Sequence, residues 1–355
     1  MIVSRNSLAI LPRVPKMTAD GLLVGSVAVS RNEATTAFPH AADPKVLVDL
    51  LGRVSTALAV GGQPGEWEVF ELDAVSPIQR AYLVERGLMT PSFARSRGAG
   101  RGFGVYQAGR ASLQVNGLDH IHLLGTRVGG HLSEAWATLD AIDDLVEGAI
   151  TYAFDDTWGY LTSRPADAGT GVRAYATVHI PGLMVSGQLG GVAMSLISQG
   201  LMLSPLWEGA GGFFQVSNRG CQGTSEMLIT ETVTEAANEI EERERSVRKA
   251  LHRDHPVRVK DHIGRALGVA QQAWSITVGE AVSLASAVWV GVTMGAVQAP
   301  WMGSEEALAL MRRVQPGHLA VEELGAGHGG LDDPRIDEVR ARILRETFAD
   351  VRVSI

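Results

Sequence analysis

Arg173, Tyr175, Thr177 and His179 share one face of a strand-like run, and Val172, Ala174, Ala176, Val178 and Ile180 share the other. Immediately ahead of this run stand Gly169, Thr170 and Gly171. Glycines let backbone N–H groups approach an anion closely, and an arginine just beyond adds a guanidinium, so the stretch has the parts of an anion site. The competing reading is an Arg173 satisfied inside the protein, by Asp167 or Asp119. A second group centres on His120 and His122. Two positions apart on a strand, they share a face, and with His179 they could hold a metal if a further ligand joined them. Hydrogen-bonded histidines on a sheet face explain them as well, and no metal is assigned. Cys221 has no basic partner in sequence and reads as an inert thiol.

Periodicity places these groups on elements. Leu22–Val29 and Trp67–Leu72 read as strands, with helical spacing from Lys45 to Leu58 between them. Ala111–Asn116 and His120–Arg127, separated by Gly117, Leu118 and Asp119, read as a hairpin. Ser133 is placed to cap a helix whose apolar stripe is Leu132, Trp136, Leu139, Ile142, Val146 and Ile150, with Asp140, Asp143 and Asp144 turned away. Arg95–Gly104, dense in Gly and Arg, reads as a solvated surface loop, the alternative being a mobile lid over a substrate. A helix near Leu189–Gln199, a strand at Phe213–Ser217 and a long charged helix from Ser225 to His252 follow. The charges of that helix read as a solvated face with salt-bridge spacing. Beyond it the chain to Ile355 reads as almost wholly helical, broken at Pro300, Pro316 and Gly325–Gly330.

The totals narrow the function classes. A chain of 355 residues favours one large domain and a smaller one. With 45% hydrophobic and 20% charged residues it has the composition of a folded protein. A net charge of -8 argues against nucleic acid or an anionic membrane as general partners. One cysteine forms no internal disulfide, and Met1–Met17 lacks an uninterrupted apolar core of signal-peptide length, so a cytoplasmic location is expected. The apolar stretch Ser283–Pro300, broken by Gly291 and Gly295, reads as a buried helix.

Several longer runs carry a family likeness. Tyr152 to Thr162, followed by Ser163, Arg164 and Pro165, is close to the segment leading into the nucleotide loop of bacterial protein arginine kinases. Gly169-Thr-Gly-Val-Arg-Ala174 matches that family's Gly-Thr-Gly-Leu-Arg-Ala motif. Gln215–Asn218, the helical text Glu241–Ala250, Gln315-Pro316-Gly317 and the final helix Asp333–Phe348 extend the similarity, which spans roughly Gly21 to Phe348. The chain thus resembles the ATP:guanido phosphotransferases. The resemblance implies an α+β fold, an antiparallel sheet flanked by helices over residues 1–250, with a helical C-terminal domain over 251–355.

The same resemblance implies a phosphoryl transfer from ATP to a guanidinium, which needs converging cations and a carboxylate that aligns and deprotonates the acceptor. Carried across residue by residue, two arginines of the family's Ser-Ser-Arg-x-Arg-x-Ala-Arg-Asn run fall on Ser26 and Ala28, and the third on Arg31. A nucleotide-side histidine falls on Gly87, and further arginines fall on His122, near Ser204 and on Thr224. The family's Asn-Glu-Glu-Asp-His becomes Asn116-Gly117-Leu118-Asp119-His120, without either glutamate. No catalytic residue is assigned among Gly117, Leu118, Asp119 and His120. Anion or nucleotide contacts fall to Arg31, His122, Gly169, Thr170, Gly171 and Arg173. The family's Arg-Asp-x-x-Arg phosphoarginine pocket falls on Ile336, Asp337 and Arg340, with Arg335 one place from the missing arginine.

The expectation is a pseudokinase: a protein arginine kinase homologue acting as a binding or regulatory subunit, with phosphoarginine recognition open to it. It would associate with itself, with an active kinase or with a phosphoarginine-bearing protein, and no cofactor is assigned to it. The alternative is an active kinase using ATP and magnesium through Arg31, Arg164, Arg173, Arg219 and Asp119. A third reading is a different ligand or reaction in the remodelled pocket.

Overall fold

Alternating burial along β-branched runs, and three- and four-residue apolar spacing along the helices, generate the elements that position the site. The computed structural model describes residues 23–62, 65–107, 109–324 and 330–354. The expectation for Met1–Met17, and residue Leu22, therefore lie outside the described residues. The strands are β1 Val24–Arg31, β2 Trp67–Glu71, β3 Gly102–Tyr106, β4 Ala111–Val115, β5 Ile121–Val128, β6 Phe154–Asp155, β7 Gly159–Tyr160, β8 Val172–His179, β9 Leu201–Pro205, β10 Phe213–Asn218, β11 Val297–Gln298 and β12 Arg352–Val353. The helices of the first half are α1 Pro44–Gly61, α2 Pro77–Glu85, α3 Pro91–Arg95, α4 Leu132–Glu147, α5 Pro181–Val185 and α6 Leu189–Ser198. Those of the second half are α7 Glu226–Asp254, α8 Pro256–Gln272, α9 Val278–Thr293, α10 Ser304–Arg313, α11 Pro316–Leu319 and α12 Arg335–Phe348.

Eight strands form one sheet in the order β2-β3-β4-β5-β1-β8-β10-β9. The ladders β2–β3, β3–β4, β4–β5 and β5–β1 are antiparallel. The chain divides into two compact units that interleave along the sequence. One gathers Val24–Ala176 and Ser217–Glu235, the other Thr177–Val216 and Ala236–Ile355.

In the first unit, α1 is started by Asp43, whose side chain accepts from the Lys45 N–H, with Pro44 at the first turn. It buries Leu47, Leu50, Leu51, Val54 and Leu58, each contributing roughly 1.5–3 kcal/mol. α4 packs on β1 and β5. Gly125 permits that approach, since a Cβ there would lie 3.0 Å from the Leu139 side chain. Three expectations change here. Ser133 is not the cap of α4, because the helix begins at Leu132 with His131 at the N-cap and no side-chain capping bond. The buried stripe runs through Ala135, with Trp136 only half-buried. Asp143 does not face away but is 7% exposed, drawn inward by a buried arginine.

The Gly- and Arg-rich stretch is likewise more ordered than its composition suggests. Only Ser96–Arg101 is loop, and Gly102 to Gly104 belong to β3. Gly102 is fully packed, since a Cβ there would lie 2.2 Å from Leu51 Cδ1. Gly100 and Gly102 let α1 pack closely on this segment and Gly104 makes room for the Trp67 ring, so the segment is part of the core wall.

Beyond α7 the described residues are mainly helical, as expected, with β11 and β12 adding one short antiparallel pair. Thr177 and His179, on the Arg173 face of β8, are both buried. His179 stacks against both Phe213 and Trp289, each ring centroid 4.5 Å away. Its Nε2 lies 2.7 Å from Ser286 Oγ and 3.1 Å from the Gly211 carbonyl. The Ser283–Pro300 stretch forms most of α9 and then turns into β11. Among the described residues no helix is long and apolar enough to cross a membrane.

Candidate functional site

The glycine loop ahead of β8 is shaped by close backbone contacts within the first unit. Gly169 has φ +111°, and a Cβ there would lie 2.3 Å from the Cys221 carbonyl oxygen. Gly171 has φ +67°, and a Cβ there would lie 2.6 Å from Arg31 Nη1. Only glycine fits either place. The Gly169 N–H donates to the Tyr160 carbonyl at 3.2 Å and the Thr170 N–H to the Cys221 carbonyl at 3.1 Å. Two of the amides expected to cradle an anion are therefore already bonded to the protein.

Arg173 follows the same logic. Its Nε donates to Asp167 Oδ1 at 2.7 Å and its Nη1 to the Asn218 carbonyl at 2.6 Å. Asp167 is 1% exposed, and its other oxygen takes Arg164 at 2.7 Å. Of the two proposed internal partners for Arg173, Asp167 is the one it meets.

Arg31 is 2% exposed and points inward. Its Nε and Nη2 reach Asp143 Oδ2 at 3.0 and 2.7 Å, and its Nη1 donates to the Ser30 and Thr170 carbonyls at 3.1 and 2.8 Å. The guanidinium carbon also lies 3.7 Å from the Tyr160 ring centroid, a cation–π contact. Burial raises the Asp143 carboxyl above its usual range against the pull of Arg31. The group makes a closed buried pair, with no guanidinium edge turned to a ligand.

Beside these residues, one face of the β1–β5 ladder is a row of uncharged side chains. In the β1–β5 ladder, Ser26 pairs with Thr126, Ala28 with Leu124 and Ser30 with His122. Ser26 Oγ and Thr126 Oγ1 are 3.1 Å apart, and Ser30 Oγ and His122 Nδ1 are 3.0 Å apart. Burial pushes the His122 imidazole down to about 4, so at neutral pH it is uncharged. We expect NMR titration of the His122 ring to show protonation only well below pH 5. A midpoint near 6.5 would make it a usable cation instead.

The β4–β5 turn is held just as closely. Asn116, at φ +58°, donates from Nδ2 to the Leu47 and Gly100 carbonyls at 2.8 and 2.5 Å. Gly117 lies against Phe93, to which a Cβ would approach within 2.9 Å. Leu118 is 51% exposed and apolar. Asp119 is 2% exposed, and its Oδ1 accepts from Asn32 Nδ2 and the Ser163 N–H, both at 2.7 Å. His120 is fully buried, its Nδ1 accepting from the Glu33 N–H at 3.1 Å. His120, His122 and His179 thus have separate surroundings. Among the described residues no group of three or more His, Cys, Asp or Glu is placed to hold a metal ion.

Cys221 is 1% exposed, donates to the Val172 carbonyl at 3.0 Å, and is pushed up to about 11 by burial. Alkylation of the native protein at pH 8 should be slow, and rapid only after unfolding. Fast native labelling would show an accessible thiolate.

In the second unit, Arg340 is 1% exposed. Its Nε donates to the Val314 carbonyl and its Nη1 to the Ile276 carbonyl, both at 2.7 Å, and Nη1 also pairs with Asp337. Arg335 stands outside, 56% exposed, and pairs with Asp333 at 2.6 Å. Asp337 and Arg340 therefore clamp the start of α9 and the end of α10 onto α12, and Arg335 has a different partner.

Sequence comparisons show the family, and comparisons with solved structures show the fold. Residues 50–247 match the ATP:guanido phosphotransferase C-terminal catalytic domain. Residues 256–354 match the protein-arginine kinase McsB C-terminal domain. The chain belongs to the protein-arginine kinase family. It is 31% identical to the protein-arginine kinase of Syntrophomonas wolfei over 92% of this chain and 91% of that one. It is 32% identical to that of Moorella thermoacetica over 93% and 95%. Its fold resembles lombricine kinase, with TM-score 0.56 and 16% identity over 68% of this chain and 71% of that one. It also resembles the duplicated taurocyamine kinase of Schistosoma mansoni, with TM-score 0.56 and 22% identity. There the match covers 68% of this chain and 35% of the larger enzyme.

On the resemblance drawn from the sequence, Ser26 and Ala28, in the middle of the uncharged row, stand where arginines are expected, and Gly117 and Leu118 where glutamates are expected. The residues do not fit a bound nucleotide triphosphate: Arg31 and Arg173 are paired to carboxylates and His122 is neutral. Sequence reading missed Asp143 and gave Asp167 only as one option. A carboxylate on the buried side of a helix, within reach of a retained arginine, is visible only once α4 is laid on β1.

Proposed function

We propose that this member of the protein-arginine kinase family is non-catalytic and works as a binding or regulatory subunit. The observation that carries the reading is the acceptor-side turn. A guanidinium becomes a nucleophile only when a carboxylate takes its proton. Gly117 and Leu118 have none, and Asp119 is buried with its Oδ1 bonded to Asn32 and Ser163. Loss of a general base typically lowers the rate by about 10² to 10⁴. Loss of a cation acting on the transferring phosphoryl group lowers it by about 10³ to 10⁵. These factors do not simply multiply, but their combined loss should leave no useful turnover.

The partner of such a subunit is a second copy, an active kinase or a phosphoarginine-bearing protein. A phosphoarginine ligand approaching the 335–340 segment would have to draw Arg335 from Asp333 and leave Arg340 in its clamp. The test is incubation of the purified chain with ATP, magnesium and an arginine-rich protein, followed by mass spectrometry under non-acidic conditions. We expect no phosphoarginine above a protein-free blank while an active family member run alongside produces it. Sustained product formation would end the proposal.

A further inference from the structure

The last turns of α7, which sequence reading assigns to a solvated face, line a cavity of about 420 Å³ within the second unit. Arg245, Arg248, Lys249 and His252 recur at three- and four-residue spacing, so they project from one side of the helix, and all four border this cavity. Trp289 and Thr293 of α9 face them. Arg248 Nη1 donates to Thr293 Oγ1 at 3.2 Å, but two other nitrogens of the lining lack partners. Arg248 Nε and His252 Nδ1 are both buried without a hydrogen-bond partner. The Arg248 Nε lies 3.1 Å from Glu244 Oε1 without hydrogen-bond alignment. Glu244 is instead bonded by the Gly182 and Leu183 N–H groups at 2.8 and 2.7 Å. Buried donors in native proteins find an acceptor, and where the protein supplies none a bound ion or water does.

We propose that this cavity binds a small oxyanion: the phosphate group of inorganic phosphate or of a phosphomonoester. Three permanent cations border it, and the carboxylates beside them oppose an anion only weakly. Glu244 is already compensated by two backbone amides and the neighbouring Arg248. Burial raises the Glu241 carboxyl to about 7, so near neutrality it is only partly charged. A guanidinium and an ammonium side by side supply the planar fork and the point charge that phosphate recognition commonly combines. The volume suits a phosphate with a small organic group, lying near the lower end of the roughly 300–1,000 Å³ typical of ligand pockets. This site uses none of the residues of the sheet-face site.

Calorimetric titration of the full chain at pH 7, first with inorganic phosphate and then with glycerol phosphate, tests the proposal. Saturable one-site binding is expected. Arg245→Ala with Lys249→Ala should weaken it by roughly ten- to hundredfold, the loss of charge-assisted bonds. Both side chains are exposed, so the double variant should keep the native circular dichroism spectrum and melting point. Equal affinity for the two probes assigns recognition to the phosphate alone, and tighter ester binding assigns a share to the organic group. Absence of saturable heat with both probes, or titrations unchanged in the double variant, would overturn the proposal.

Discussion

Replacing Arg31 with alanine should destabilise the protein by about 3–5 kcal/mol, because it leaves the Asp143 carboxylate buried without its counter-charge. The loss is large because Arg31 also joins three segments: its Nη1 bonds the Ser30 and Thr170 carbonyls while Nε and Nη2 hold Asp143 of α4. Urea denaturation followed by circular dichroism measures it. A double change, Arg31→Met with Asp143→Leu, should recover most of the loss, since a buried ion pair replaced whole by apolar groups is often close to neutral. If Arg31→Ala shifts stability by less than ~0.5 kcal/mol, as a surface substitution would, the guanidinium is free for a ligand after all.

The second large effect belongs to Arg340. Arg340→Ala removes the donors to the Val314 and Ile276 carbonyls and leaves them buried, an expected loss of about 3–5 kcal/mol. Arg340→Lys should rescue little, because a lysine ammonium cannot span two carbonyls and Asp337 with a planar fork. Denaturant midpoints of the two variants decide the question. A variant that keeps wild-type stability but loses affinity for a phosphoarginine peptide would make Arg340 a ligand-binding residue instead of a clamp.

The two arginines show how far the sequence carries the site. The hairpin, β8, α1 and the long α7 are legible because each has one dominant period, with Val172, Ala174, Ala176 and Val178 a clean alternation. The antiparallel sheet with flanking helices follows from the resemblance, and the ladders bear it out. The absence of carboxylates at Gly117 and Leu118 is legible from the sequence too. The direction in which a retained arginine points is not. Arg31 and Arg173 look available when lined up with family motifs, yet each meets a carboxylate far from it in sequence or across a turn. Asp143 looked solvated because helical spacing places it beside Asp140 and Asp144, and only the tilt of α4 against β1 brings it under the sheet. Likewise the glycines at 169 and 171 suggest a phosphate cradle, but their neighbours, the Cys221 carbonyl and Arg31, come from other strands' ends. Local composition cannot reveal what a glycine makes room for.

The α7 cations were hidden for a related reason. Their spacing suits a solvated salt-bridged face, and only the packing of α9 against that side turns it into a cavity wall.

The physical claim beneath the functional reading is that the sheet face bordered by Ser26, Ala28 and His122 has too little positive charge to hold a triphosphate. Isothermal titration of the intact chain with magnesium–ATP at pH 7.5 probes it most directly. The account predicts no saturable binding in the micromolar range, and the same result for Arg173→Ala. Micromolar binding that Arg173→Ala abolishes would contradict it, because Arg173 would then have left Asp167 for the nucleotide.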